Sequence, residues 1–127
     1  MKHYKVVAAV IEHEGAVLCT QKGEHNYPYL SYKYEFPGGK VEHGERDEDA
    51  LIREIDEELA LCIRVNRKIA VVNHQYPDFM ITLTAFHCNS TSREVTLVEH
   101  LHAVWLPKEK LKTLAWAAAD QPILQYL

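Results

Sequence analysis

The chain has 127 residues, is 47% hydrophobic and 25% charged, and carries a formal net charge of −4. That is one domain's worth, residues 1–127, with the composition of a globular protein and enough length to bury a core without disulfides. The charge excludes a general basic field for gripping a nucleic-acid polymer, and no apolar run reaches a membrane span, but a binder of small phosphorylated molecules remains allowed because a metal can supply positive charge.

Residues 5–11 form a β-rich apolar run that ends at the turn-like His13-Glu14-Gly15, and residues 16–20 form a second strand, so the two read as a hairpin. The N-terminus lacks the layout of a signal peptide and reads directly as strand. Residues 21–34 are polar and aromatic with Pro28 inside, a loop able to lie over a site. Residues 34–39, Tyr-Glu-Phe-Pro-Gly-Gly, read as a short strand ending in a Pro-Gly-Gly turn.

Residues 46–59 predict a helix, with Asp47, Glu48 and Asp49 in the first turn and Leu51, Ile52, Ile55 and Leu59 as its apolar stripe. Residues 63–73 and 80–88 read as strands, 89–93 as a turn, and 94–98 and 103–106 as further short strands. Pro107 opens a short helix through residue 114, and residues 115–127 predict a terminal helix interrupted near Asp120-Gln121-Pro122. Strands, one long helix, more strands and a last helix make a mixed α/β (α+β) sandwich, with helices on the faces of a mixed sheet. Cys19, Cys62 and Cys88 each sit among apolar residues with no CxxC spacing, and read as reduced core or near-core residues of a cytoplasmic protein.

The chemistry concentrates in residues 38–61. Residues three and four apart share a helix face, so Glu54, Glu57 and Glu58 form one cluster whose like charges call for something positive between them. Three carboxylates suit Mg²⁺, a hard cation that takes oxygen ligands and keeps waters while binding phosphates; Mn²⁺ is the alternative. Glu45 lies at the helix start and can join the cluster's outer shell, and Arg53 can pair with the acids and fix their rotamers. Gly38 and Gly39 let backbone approach a phosphate or a metal with no Cβ in the way. Acid-rich helices are more often solvated faces with i,i+4 pairs, so spacing must decide.

The spacing does so. Gly39 is followed after five residues by Glu45, and after seven more by Arg53-Glu54-Ile55-Asp56-Glu57-Glu58-Leu59-Ala60-Leu61. This resembles the box of the Nudix hydrolase family, Gly-x5-Glu-x7-Arg-Glu-U-x-Glu-Glu-x-Gly-U, where U is bulky and apolar. Six fixed matches at ordinary residue usage arise by chance at about one start in ~10⁷. Ala60 departs, standing where the family has a C-cap glycine. A left-handed alanine would be strained by roughly 1 kcal/mol, so the expectation is that the turn relaxes or the helix ends differently. The resemblance extends to Glu35-Phe36-Pro37-Gly38-Gly39 before the box, to Glu99 six residues before Trp105, and to Ala118-Ala119-Asp120-Gln121-Pro122 near the end, as in MutT-like members.

The resemblance implies a Nudix fold, an α/β/α sandwich with a mixed central sheet, and hydrolysis of a nucleoside triphosphate to a monophosphate and pyrophosphate. Glu54, Glu57, Glu58 and the Gly39 carbonyl would hold the metal, and Glu99 would reach it or its water from a loop. Glu54 and Glu99 are the candidate bases, with Arg53 and Glu45 orienting the cluster. Gly38 would approach the substrate, Phe36 would line a base pocket or belong to the core, and Asp120 would read the base edge or cap the next turn. An ionised Asp120 only accepts, which favours a base edge presenting N–H donors. Cleaning of oxidised nucleotides of the 8-oxo-dGTP type comes first, a CTP or modified-dCTP pyrophosphohydrolase second, and a nucleotide sensor without turnover third.

Tyr27, Tyr29, Tyr32 and Tyr34 read as a loop packed on its own aromatics, and His74, His87, His100 and His102 as exposed histidines on strands rather than a zinc site. A nucleoside triphosphate is the implied partner, with no membrane and no nucleic-acid polymer. Monomer and dimer both stay open.

Overall fold

A computed structural model describes residues 1–127. Its sheet has seven strands: β1 (Lys2–His13), β2 (Ala16–Gln21), β3 (Tyr34–Glu35), β4 (Gly38–Lys40), β5 (Ile63–Gln75), β6 (Phe79–Ser90) and β7 (His102–Pro107). The order β3-β2-β1-β6-β5 carries β4 beside β1 and β7 beside β2. β1 and β6 run parallel and the other pairs antiparallel, so the sheet is mixed. The β1–β2 hairpin closes through Glu14 and Gly15 at φ of 50° and 80°, the left-handed pair that matches strand twist.

Strand periodicity sorts β1 onto two cores. Val7, Ala9 and Ile11 pack beneath the single α-helix, α1 (Asp47–Leu59), with Leu51, Ile55 and Leu59. Ala8 and Val10 face the other side with Val17, Leu83, Phe36 and Trp116. Because both faces are covered, β1 reads as a continuous apolar run rather than an alternating one.

Several expectations are corrected. The terminal helix over residues 115–127 does not form; Gln121–Tyr126 is a short 3₁₀ turn opened by Pro122. Upstream of it the backbone is captured by the sheet edge, where Tyr34 N–H donates to Ala115 O at 2.8 Å and Ala117 N–H to Tyr34 O at 2.8 Å. The second face of the sandwich is therefore covered by 3₁₀ turns and loops, including Lys108–Thr113, where the short helix expected after Pro107 forms as 3₁₀. Residues 94–98 are not a strand. Their donors serve the open carbonyls at the end of α1, Thr96 N–H on Leu59 O at 2.9 Å and Val98 N–H on Glu58 O at 3.3 Å. β6 instead runs on to Ser90, taking the start of the predicted turn.

Gly38-Gly39 is no turn either but strand β4, in register with Val7 and Ala8. A Cβ on Gly38 would run into the Val7 backbone, so the close pairing needs glycine. Ile52 leaves the apolar stripe and is 41% exposed, while Ala50 takes its place in the core. Cys62 is exposed between buried Leu61 and Ile63, as strand alternation requires, whereas burial raises the Cys19 and Cys88 thiols each to about 12. Ala60 does adopt the left-handed cap (φ 50°, ψ 40°), and its N–H closes the last turn on Asp56 O at 2.9 Å; the turn does not relax around it.

Candidate active site

α1 buries one face and brings Arg53 and Glu54 against β4. Arg53 is the hub. Its Nε and Nη2 donate to the two oxygens of Glu45 at 2.8 and 3.0 Å, and its Nη1 donates to Glu54 at 3.0 Å and Glu57 at 3.3 Å. Nη2 also reaches the Lys40 carbonyl at 3.3 Å, tying the helix to β4. Glu45 in turn accepts from the Glu42 N–H at 3.1 Å, and the Arg53 guanidinium holds its carboxyl below the usual range. One planar donor fork thus sets three carboxylates at once.

Glu58 lies deeper. Burial, then the neighbouring carboxylates of Glu54, Glu35 and Glu99, push its pKa up to about 8. A proton shared into a crowd of acids is the signature of a place where positive charge is lacking. The Gly39 backbone closes against this cluster, since a Cβ there would fall inside the Glu54 carboxyl group. The exposed Glu99 sits in the loop that donates its Val98 N–H to Glu58 O, so the loop is tethered to the helix end it serves.

From this acidic mouth a cavity of about 590 Å³ runs inward to Asp120. Tyr76, Leu83, Phe36 and Ala8 give it apolar walls, and Glu35, Lys22 and His100 give it polar ones. Phe36 is buried and stacks on Trp116 with ring centroids 4.5 Å apart, so it is both core and pocket wall. Asp120 is 7% exposed and makes no side-chain cap of the following turn. Its Oδ2 accepts from the Phe36 N–H at 2.9 Å, which leaves Oδ1 for the cavity. Burial and the nearby Glu35 carboxylate raise the Asp120 pKa well above its ordinary value, a shift toward the neutral form.

Glu54, Glu57, Glu58 and Glu99 offer only hard oxygen donors, and Glu54, Glu58 and Glu99 line one cavity, so the residues fit a divalent cation. They do not close into a finished cage: no three His, Cys, Asp or Glu side chains are gathered around one point, and Arg53 engages two of the four. Mg²⁺ sites of this kind keep open positions for water and phosphate.

The structure brings Gly38, Gly39, Glu54, Glu58, Glu99, Phe36 and Asp120 to one cavity, with Glu45 and Glu57 held to it through Arg53. Sequence reasoning missed Glu35, Lys22 and His100 as wall residues. His100 was expected to be exposed, yet its side chain is 6% exposed, with Nε2 3.4 Å from Glu35 Oε1. Its position next to Glu99 was the one available signal. The tyrosine loop does pack on its own aromatics, Tyr27 stacking on Tyr29 and Tyr29 on Tyr76 with centroids 5.4 Å apart, and Tyr27 also faces the cavity.

Comparison with known proteins agrees with this geometry. A family model described as a NUDIX domain matches residues 6–126. The chain is 34% identical over 125 residues to the CTP pyrophosphohydrolase of Escherichia coli K12, covering 98% of this chain and 91% of that one. It is 26% identical over 128 residues to the 8-oxo-dGTP diphosphatase of the same organism, covering 100% and 98%. The solution structure of the DNA mismatch repair protein MutT from methicillin-resistant Staphylococcus aureus 252 superposes with a TM-score of 0.75 at 38% identity, covering 98% of this chain and 95% of that one. With its box, its mixed sheet and its acid cluster in place, the chain belongs to the Nudix hydrolase family.

Proposed function

We propose that this enzyme is a Mg²⁺-dependent nucleoside triphosphate pyrophosphohydrolase that selects a base with an adjacent donor and acceptor on one edge, cytosine nucleotides first. The observation that carries the choice of base is Asp120. In its neutral form, toward which burial shifts it, Asp120 would offer an O–H donor at Oδ1 beside Oδ2, an acceptor that also takes the Phe36 N–H. Cytosine presents N3 as acceptor beside its N4 amino donor and meets both. Guanine carries a donor beside an acceptor as well, N1–H beside O6 on its Watson–Crick edge, and 8-oxoguanine, with a proton on N7, adds a second such pair at N7–H and O6. Oxidised guanine nucleotides, placed first by the sequence, are therefore the second reading. The 34% identity to a CTP pyrophosphohydrolase over nearly the whole chain supports placing cytosine ahead of oxidised guanine.

The reaction forms a bond between water oxygen and phosphorus and breaks a phosphoanhydride bond, releasing the monophosphate and pyrophosphate. Glu54, Glu57, Glu58, the Gly39 carbonyl and Glu99 would hold Mg²⁺, or Mn²⁺ in its place. When bound, such a cation neutralises phosphate charge and lowers the pKa of a coordinated water. Glu54 or Glu99 takes the water's proton, Arg53 and Glu45 fix the rotamers of the acids, and Gly38 and Phe36 bound the space beside the nucleotide.

The test is product analysis after incubation with Mg²⁺ and CTP, dCTP, 5-methyl-dCTP, 8-oxo-dGTP or dGTP. The proposal expects monophosphate and pyrophosphate, with kcat/KM for a cytosine nucleotide at least about tenfold above dGTP. A preference for 8-oxo-dGTP over every cytosine nucleotide moves the function to the second reading. Tight nucleotide binding with no turnover makes the protein a sensor.

A further inference from the structure

The loop that carries Glu99 has few contacts of its own. Before Glu99, Thr96 N–H donates to Leu59 O at 2.9 Å and Val98 N–H to Glu58 O at 3.3 Å, which ties the loop to the end of α1. After it, Leu101 N–H donates to Gln21 O at 2.9 Å, which ties the loop to β2. Glu99 and His100 alone span the gap between these ties. From Thr96 to Leu101 every residue but His100 is exposed, and Leu97, Val98 and Leu101 turn their apolar side chains to water rather than to a core. A segment with so few buried contacts opens at low free energy.

His100 is the exception. Its side chain is buried, with Nε2 3.4 Å from Glu35 Oε1 and Nδ1 enclosed without a partner. A proton on Nδ1 would be a buried donor with no acceptor, so the surroundings favour the tautomer with its proton on Nε2, facing Glu35. Glu35 is a firm post. Its backbone is fixed on β3, where its carbonyl accepts from Thr20 Oγ1 at 3.0 Å, and Lys22 Nζ lies 3.7 Å from the same Oε1. Successive Cα atoms are about 3.8 Å apart, so docking His100 also fixes where the Glu99 backbone stands. Glu99 lines the same cavity as Glu54 and Glu58, close enough for its charge to help raise the Glu58 pKa.

We propose that His100 is the anchor that places Glu99: docked against Glu35, it keeps the exposed loop closed on the acid cluster. His100 is a positioning residue that acts through its neighbour and takes no part in the chemistry itself. The inference rests on the role proposed above for Glu99.

The experiment is amide hydrogen exchange of the full chain without metal or nucleotide, beside CTP turnover with Mg²⁺. In His100→Leu, which fills the space but loses the donor, the segment Thr96–Leu101 should exchange at least about tenfold faster while α1 and β5 exchange as before. Glu35→Leu removes the acceptor from the other side and should release the same segment. His100→Gln, whose side-chain amide can donate from the position of Nε2, should restore slow exchange. Turnover separates placement from stability. His100→Leu should lower kcat at least about tenfold with little change in KM, and should cost nothing further in a Glu99→Gln background, where no acid is left to place. Unchanged exchange in both leucine variants, faster exchange through the whole chain, or an equal kcat loss with and without Glu99 would each overturn the inference. Full kcat in Glu99→Gln alone would remove Glu99 from the reaction and the placing role with it. No turnover by the unsubstituted protein refutes the hydrolase reading, and the anchor then stands or falls on exchange alone.

Discussion

At the outer end of the site, Glu45, Glu54 and Glu57 share one guanidinium, with Glu57 exposed to solvent and Glu54 lining the cavity. At its inner end Asp120 has no cation in contact, is shut away from solvent, and has its pKa raised well above the ordinary value by burial and the Glu35 carboxylate. Both places crowd negative charge, and the difference lies in what relieves it. An open cluster can be relieved by Arg53 and by an added cation, because both reach it with their own water. A closed site can only be relieved by neutralising the acid, because burying an unpaired charge costs far more than binding a proton. The same residue type thereby meets two different electrostatic surroundings, which the proposed function assigns to metal binding and base reading.

Removing a ligand at the mouth should have the largest effect. Glu58→Gln is expected to lower kcat by more than about a hundredfold at saturating Mg²⁺, since even outer-shell losses around metals cost 10–100-fold. Glu57→Gln should likewise lose most turnover, and circular dichroism should show both folds intact. Near-normal kcat in either would remove that residue from the metal set.

At the inner end, Asp120→Ala strips a partner from the buried Phe36 N–H and should destabilise the fold by about 1–3 kcal/mol in urea titration. It should also erase the ranking among bases. Asp120→Asn, which keeps a donor and an acceptor, should shift the ranking by less than about tenfold. Equal effects of Ala and Asn on the ranking would mean that the acid is not read in its neutral form.

Arg53→Lys is expected to cost about 10–100-fold in kcat, because an ammonium cannot replace a fork that holds Glu45, Glu54 and Glu57 together. A loss confined to KM would argue against an orienting role.

Proton linkage separates the two ends directly. The folded state raises Glu58 from its ordinary 4.5 to about 8, so it binds more protons than the unfolded chain across that window. Stability should therefore fall as pH rises from about 4.5 to about 8, the sign set by the folded state's extra proton. Asp120 is also raised and acts in the same direction, while Glu45, lowered by Arg53, acts on the acid side of the window. Saturating Mg²⁺ should flatten the Glu58 part of the slope and leave the Asp120 part. A melting temperature whose pH slope ignores the cation would place Glu58 outside the metal site.

The smallest effect touches neither end. Ala60→Gly relieves a left-handed alanine and should stabilise the fold by about 1 kcal/mol without altering kcat.

Much of this was legible in the sequence. The helix over Asp47–Leu59, the main strands and the acid set at Glu54, Glu57 and Glu58 follow from periodicity and fixed spacing, because residues on one helix are placed by the helix itself. The strand β4 was hidden in a Gly-Gly pair that reads as a turn, and the tail that reads as helix was captured by the edge at Tyr34. Those outcomes depend on partners far along the chain, and local propensity carries no information about them.

The sequence by itself determined the Nudix box as a set of residue types on one helix, with Glu54, Glu57 and Glu58 within one turn of one another. Only the tertiary structure decided that Glu35 and His100 meet across 65 residues of chain, that Asp120 bonds the Phe36 N–H, and that burial raises the Asp120 pKa above its ordinary value. The physical reason is that spacing along an element encodes local geometry, while protonation and cavity shape depend on desolvation by groups that only folding brings together.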